Sequence, residues 1–570
     1  MAKTATRCED GRRRTWWVEA STAGGLAIVA ALAAMLFFFH LGTYGLWEPD
    51  EGRYAEIARE MLASRNFIVP HLNYVPYIEK PPLLYWLTVA SMRSLGANEL
   101  AARLPDALAA LLGVLATYIF ALRTFDRRRA ILAGAILATS GLYATMAQVL
   151  TTDMLLAALM AVAMFAFFLQ WLEDGRWWWL SYAAMGLAVL AKGPVGAAIP
   201  ITVAVIFLWY EADWRCTPER LHPAAGLLLT AAISLPWFVL IAVREPGFLD
   251  FYIVGEHFRR FFEPSYSHAE RIYFYVPVAA AGLLPWTLAL PFVPWRSLAP
   301  NAARRFCFVA IATVFVLFSL ASAKLAAYIL PLFPLAAVVI ADGLMTFGDE
   351  PPTRSTGRRA DARVLAAFAA LLSITGATLI VIAWNAGRFA SPNPMLVRPA
   401  LFSAGAIIVV CAVLCYAAFW TRRLTAGLCI LVAGAAATLI VGSYGRIMAE
   451  PARSYATLAR QIEQRAPNAR LICYPRYIQS LPFYCRRRVI LVGAKTELAY
   501  GAAHSADAAS FFFASERDLL RLWKQPQPTV LIIDRRALAH LEKSLGPYEV
   551  IASDAKKLAL TRPEHSGKGG

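Results

Sequence analysis

Long apolar stretches recur along this chain about thirteen times, and that recurrence limits the fold more than any motif does. The first, "GGLAIVAALAAMLFFF", runs from Gly24 to Phe39 without a charge. A helix needs roughly 20 apolar residues to cross the hydrocarbon core of a bilayer, where the backbone must satisfy its own hydrogen bonds. Spans are expected near 22–41, 101–122, 130–147, 153–172, 178–191, 194–210, 224–243, 273–293, 306–323, 325–345, 364–384, 399–419 and 424–443. The chain therefore reads as an α-helical polytopic membrane protein. With 59% hydrophobic and only 16% charged residues among 570, it has too little polar surface for an ordinary soluble protein.

The charges outside the spans orient it. Basic clusters fall in every second loop: Arg12–Arg14, Arg127–Arg129, Arg215/Arg220, Arg304/Arg305, Arg354/Arg358/Arg359 and Arg422/Arg423. Basic loops stay in the cytoplasm, so the N-terminus is inside and the segment after Ser443 is outside. This topology accounts for the formal charge of +17, and no nucleic-acid partner is needed. The first apolar run carries no small-x-small cleavage site before Trp47 and reads as a retained signal anchor. Of eight cysteines only Cys473 and Cys485 share the outer tail, where a bridge is one option; no C-x-x-C spacing appears.

From about residue 445 the pattern changes. "ARLICY", "RVILVG" and "TVLIID" are short β-branched runs, separated by helical stretches such as "SYATLARQIEQRA" and "RRALAHLEKSL". That alternation predicts a small α/β domain over 445–570, following a membrane domain over 1–444.

Two long external segments, about 42–100 and 244–272, hold the unusual residues. The first opens with "GLWEPDEGRYAEIAREM", in which Asp50 and Glu51 follow Pro49 and precede Tyr54. Acids there complement a helix dipole, but carboxylates at a membrane edge are also functional candidates. Asp153, at the outer start of a span, is either an N-cap or a second acid of the same site. "YVPYIEKPPLLYWL" places Lys80 just before Pro81–Pro82, so it either snorkels to headgroups or forms an anion pocket at a helix N-terminus. Lys192 in "LAKGPVG", Lys324 in "SAKLAAYIL" and Arg259, Arg260 and Arg271 in the second segment repeat the theme. Cations on the wrong side of a membrane, beside aromatics, suit a phosphate-bearing lipid. His257 and His268 with Glu79 are a candidate structural zinc set, ordinary hydrogen-bonded histidines being the alternative.

"PDEGRYAEIAREM", "YIEKPPLLYW", "LAKGPVG", "EHFRRF" and "SAKLAAYILP" occur in this order, and as an ordered set they resemble the lipid A aminoarabinose transferases, relatives of the protein O-mannosyltransferases. The resemblance covers nearly the whole chain. It implies a C-type glycosyltransferase fold with about thirteen transmembrane helices and a small C-terminal periplasmic α/β domain. It implies a bacterial inner-membrane enzyme with its active site on the periplasmic side, moving 4-amino-4-deoxy-L-arabinose from undecaprenyl phosphate to lipid A phosphates and so giving resistance to polymyxin. The implied partners are the undecaprenyl phosphate-linked sugar, lipid A and membrane lipids; a monomer is expected, and no cofactor is required. Carried over, Asp50, Glu51 and Asp153 are catalytic carboxylates and Lys80 a donor-phosphate ligand, supported by Arg260, Arg271, Lys192 and Lys324. Tyr54, Tyr77 and Tyr328 are candidate substrate contacts. Ala326 departs from the family, where a proline is expected.

A lipid A phosphate is already a competent nucleophile, so Asp50 is free to orient the acceptor or bind the donor's ammonium. With a protein hydroxyl as acceptor, it would be the base. The rival readings are transfer from a polyprenyl-phosphate sugar to another acceptor and, in a different class, a lipid flippase or transporter. The absence of an internal repeat and the gathering of charge at one face argue against transport.

Overall fold

The computed structural model describes residues 20–173, 175–212, 217–252, 255, 270–292, 301–349, 355–385, 394–421, 423–554 and 556–563. A helical bundle carries, on one face, a domain built on a six-stranded sheet. The bundle helices are α1 (Ala20–Phe38), α2 (Asp50–Ser64), α3 (Leu83–Leu95), α4 (Glu99–Thr124), α5 (Arg127–Ala138) and α6 (Gly141–Met146). There follow α7 (Thr152–Glu173), α8 (Trp178–Lys192), α9 (Val195–Glu211), α10 (Pro223–Arg244) and α11 (Tyr275–Gly282). The last are α12 (Ala302–Leu320), α13 (Leu332–Asp349), α14 (Ser355–Trp384), α15 (Pro394–Trp420) and α16 (Leu424–Arg453). Among the described residues, seven helices are long and apolar enough to cross a membrane by length and composition alone.

At the centre lies α7. It is apolar on every side, and Thr152 to Gln170 are buried without interruption. A helix hydrophobic all round belongs inside a bundle. Phe165 stacks on Phe120 at 4.3 Å, and Phe168 meets Phe306 at 4.8 Å, joining α7 to α4 and α12. At the end remote from the sheet domain, Asp342 is buried and receives both Arg129 and Arg304, while Arg305 pairs with Glu211. Two of the arginine clusters that signal topology thus also brace helix ends.

Three expected spans are not single helices. The 130–147 stretch breaks after Ala138, where the Thr139 and Ser140 hydroxyls donate back to the carbonyls of Ala135 and Ile136. Such bonds compete with helix continuation. The 273–293 stretch is α11 flanked by 3₁₀ turns at Ile272–Phe274 and Trp286–Phe292, with Pro285 at its interruption. The 325–345 stretch opens as a 3₁₀ turn, Ala326–Ile329, before Pro331 and α13. The first two breaks meet: Gly141 N–H donates to the Leu284 carbonyl at 3.2 Å, and Trp286 Nε1 donates to Thr139 Oγ1 at 2.9 Å. Irregular backbone among apolar helices is tolerated when it is buried in protein and satisfied in this way.

The α16 helix continues to Arg453, past the expected domain boundary at 444, and the sheet domain starts with α17 (Ala456–Arg465). After the small hairpin strands β1 (His71–Leu72) and β2 (Val75–Pro76) of the bundle, its strands are β3 (Arg470–Tyr474), β4 (Val489–Val492), β5 (Phe512–Phe513), β6 (Thr529–Asp534), β7 (Glu549–Ser553) and β8 (Lys557–Thr561). The order is β5-β4-β3-β6-β8-β7, parallel from β5 to β6 and antiparallel beyond. Cys473 and Cys485 are both buried free thiols, so the optional bridge is not made.

This domain grips the segment that carries the acidic motif. The Glu48 carboxylate accepts the N–H groups of Gln479 and Ser480 at 3.0 and 2.8 Å. Leu46 N–H donates to the Tyr484 hydroxyl at 2.8 Å. Asn73 and Tyr74, at the turn of the β1–β2 hairpin, both have positive φ, as a two-residue hairpin turn of this hand needs. Asn73 then pairs with Val489 as a strand would, donating to its carbonyl and accepting its N–H, each at 2.9 Å. A Cβ on Gly52 would lie 2.6 Å from Ser480 N, so only glycine lets α2 approach this closely.

Candidate active site

Pro49 precedes α2 and places Asp50 and Glu51 in its first turn. Helical spacing then puts Arg53 on the Asp50 side, 3.8 Å from it, and 3.8 Å from Glu497 of the sheet domain. Burial opposes the Arg53 charge, but Tyr77, Tyr54, Glu497 and Glu79 around it hold it protonated. Tyr77 is buried and donates to Glu79 at 2.8 Å. Tyr54 packs on Tyr85 with ring centroids 6.0 Å apart. Lys80 stands half-buried at the end of this stretch, before the two prolines that lead into α3.

A second group comes from the bundle. Asp153, in the first turn of α7, pairs with Lys192 at the last residue of α8. The Lys192 ammonium also lies 3.9 Å from the Tyr328 ring centroid, a cation–π contact. Gly193 ends α8 with φ +98, turning the chain away just after Lys192. The two groups are neighbours: the Tyr54 hydroxyl feels both Asp50 and Asp153. Burial first, then Asp50 and Tyr85, push its ionisation well above the ordinary tyrosine value, leaving a neutral hydroxyl within electrostatic reach of both acids. Asp50, with a side chain 48% exposed, is the accessible carboxylate, whereas Asp153 is already engaged by Lys192.

Glu51, expected with the catalytic acids, has other work. It is buried, and its oxygens accept Arg103 Nε at 2.7 Å, Arg103 Nη2 at 2.8 Å, Trp47 N–H at 2.8 Å and Leu150 N–H at 3.0 Å. Arg103 is itself buried and completes its bonds on the carbonyls of Leu41, Tyr44 and Gly45. With four donors on its carboxylate, Glu51 is a strut. Lys324, expected as a phosphate ligand, donates to the Glu270 and Ala321 carbonyls at 2.9 and 2.6 Å, which ties down a loop end. Arg271 is exposed and donates to the Tyr273 hydroxyl at 2.7 Å. Arg259, Arg260, His257 and His268 lie outside the described residues, so the zinc set with Glu79 does too. Among the described residues no three His, Cys, Asp or Glu side chains are arranged to hold a metal.

Several residues of the site were not singled out from the sequence. Arg53 was detectable as the cation one turn after Asp50. Tyr85 and Tyr275 belong to apolar runs and carry no local signal. Tyr275 donates to the Leu325 carbonyl at 3.2 Å beside Tyr328. Glu497 is more than 400 residues from Arg53 in sequence, and only the docking of the sheet domain brings it in.

Residues 79–239 match the dolichyl-phosphate-mannose-protein mannosyltransferase family, and residues 458–562 match the aminoarabinose transferase C-terminal domain. An undecaprenyl phosphate-alpha-4-amino-4-deoxy-L-arabinose arabinosyl transferase from Erwinia tasmaniensis is 30% identical over 413 residues, covering 70% of this chain and 71% of the relative. A protein of the same name from Shewanella sediminis is 27% identical over 528 residues, covering 89% and 92%. The crystal structure of ArnT from Cupriavidus metallidurans bound to undecaprenyl phosphate superposes with a TM-score of 0.84 at 27% identity, covering 95% of this chain and 99% of that one. The fold and the site at the junction of bundle and sheet domain define a multi-pass membrane glycosyltransferase of the C-type fold that uses a lipid-linked sugar. The chain belongs to the undecaprenyl phosphate-aminoarabinose arabinosyl transferase family.

Proposed function

We propose that this enzyme transfers 4-amino-4-deoxy-L-arabinose from undecaprenyl phosphate to a phosphate of lipid A, on the periplasmic face of a bacterial inner membrane. The observation that carries this reading is the junction itself, where half-exposed Asp50 with its partner Arg53 and the Asp153–Lys192 pair both act electrostatically on the Tyr54 hydroxyl. In the reaction, the bond between the sugar C1 and the donor phosphate oxygen breaks, and a lipid A phosphate oxygen bonds to C1. The leaving undecaprenyl phosphate takes the electron pair, and Lys80 is assigned to meet that charge. Asp50, the exposed acid, is assigned to the sugar and its ammonium; Asp153, held by Lys192, supports the same pocket. The donor is already activated as a phosphodiester, so no cofactor is required. The enzyme acts as a monomer, and neutralising lipid A phosphates would confer resistance to polymyxin.

The test is transfer of radiolabelled sugar by purified protein from the undecaprenyl donor to lipid A in detergent, without a membrane gradient. Product bearing the label on a lipid A phosphate is expected. Release of free sugar alone, or transfer to a protein hydroxyl in preference to lipid A, would overturn the acceptor assignment.

A further inference from the structure

Asp106 is fully buried in α4, one helical turn after Arg103. Its Oδ2 accepts the Thr151 N–H at 3.1 Å, while its Oδ1 has no hydrogen-bond partner. The preceding N–H, that of Leu150, goes to Glu51 at 3.0 Å. Two consecutive backbone donors are thus held by two carboxylates, one on α4 and one on the residue that follows Asp50. Immediately after them the chain enters α7 with Thr152 and Asp153. Asp106 also lies within electrostatic reach of both Asp153 and Glu51.

The local cations are committed elsewhere. Arg103 is spent on Glu51 and three carbonyls, and Lys192 is paired with Asp153 under the Tyr328 ring. Among the described residues no cation pairs with Asp106; a buried carboxyl so placed is costly, the more so within electrostatic reach of two other acids. The hydroxyl of Thr151, the residue it anchors, is buried and unpartnered as well. These polar groups sit at the turn that leads directly into α7 and Asp153.

We propose that Asp106 is a positioning residue for the transfer reaction: it acts through the Thr151 backbone to hold Asp153 at its working distance from Asp50. The inference rests on the proposed transferase activity. Misplacing a reacting group by about 1 Å can cost on the order of 10²-fold in rate. Asp106→Ala should therefore lower kcat about 10–100-fold with donor KM within about threefold, while Asp106→Asn, which keeps an oxygen for the Thr151 N–H, rescues most of the rate. The decisive measurement repeats Asp106→Ala in an Asp153→Asn background. If Asp106 works through Asp153, the further loss there shrinks to about threefold or less. An equal loss in both backgrounds would overturn the proposal, as would wild-type kcat in Asp106→Ala. Should Asp106→Ala not fold, Asp106→Asn decides: rates near wild type uphold the proposal, and a folded but slow Asn variant overturns it. The wild-type enzyme in the same assay separates the two readings, since its failure to transfer sugar would count against the proposed function and not against Asp106.

Discussion

Asp50 and Glu51 are adjacent in sequence and differ completely in what surrounds them. Asp50 is half-exposed with a loose contact to Arg53, so its lone pairs remain available; Glu51 has four donors. Asp50→Asn and Asp153→Asn should each lower the transfer rate by roughly 10²–10³, equivalent to ~2.7–4 kcal/mol at the transition state, with little change in thermal unfolding. Wild-type single-turnover rates in both would leave these acids as helix caps. Glu51→Gln is expected to do the opposite first: it strands a buried Arg103, a change that costs about 3–5 kcal/mol in comparable sites, and should show as a lower melting temperature. A stable but inactive Glu51→Gln would return this residue to the catalytic group. On α2, Glu60 is buried and neighbours Glu56; burial first and that like charge second raise its ionisation well above the usual carboxylate range. An acid raised in the folded state contributes no penalty below its unfolded value near pH ~4.3 and costs stability as pH rises above it. Glu60→Gln keeps an acceptor for Tyr74 N–H. It should melt higher than wild type at pH 7–8 and equally at pH 4, as read by thermal scans at both pH values.

Among the elements, α2 has good helix formers and acids in its first turn, but its placement depends on its neighbours. Among the described residues it is amphipathic in sequence, yet Glu56, Arg59 and Glu60 on it are buried, because the β1–β2 hairpin and the sheet domain cover it from both sides. Its alignment depends on close approach at Gly52. Gly52→Ala would place a methyl against the Ser480 backbone, which cannot swing aside as a side chain would. The expected result is a folded, membrane-inserted protein with transfer reduced at least ~10-fold, because a small displacement of the catalytic turn is costly. Limited proteolysis should show a loosened sheet domain. Unchanged activity would mean that the docking of this domain does not set Asp50. The broken helices follow the same logic. Thr139, Ser140 and Pro285 are visible as helix-weakening residues, but that their two breaks pair with each other is decided by packing.

At the scale of the molecule, the arrangement predicts sidedness. The sheet domain and the site share one face, and the Arg129–Asp342–Arg304 and Arg305–Glu211 pairs brace the other. A reporter fused after Gly501 should be active only in the periplasm, and one after Arg359 only in the cytoplasm; periplasmic activity after Arg359 would invert the topology and with it the proposed site. The sequence by itself marked Asp50, Lys80, Asp153 and Lys192 as candidates by their motifs, and it determined the helical membrane class, the places of the apolar segments, the alternation of basic loops and the change to an α/β tail. These depend on composition and local periodicity, which a bilayer reads directly through the cost of unsatisfied backbone and unpaired charge. Only the tertiary structure decided that Glu51 is a strut for Arg103, that Lys324 ties a loop, that Asp106 accepts the Thr151 N–H, and that Glu497 reaches Arg53 from the far end of the chain. Each of those outcomes depends on which donors are left over once helices and sheet have packed. A carboxylate or ammonium takes its role from the partners that burial leaves within about 3–4 Å, and no pattern along the chain encodes that distance.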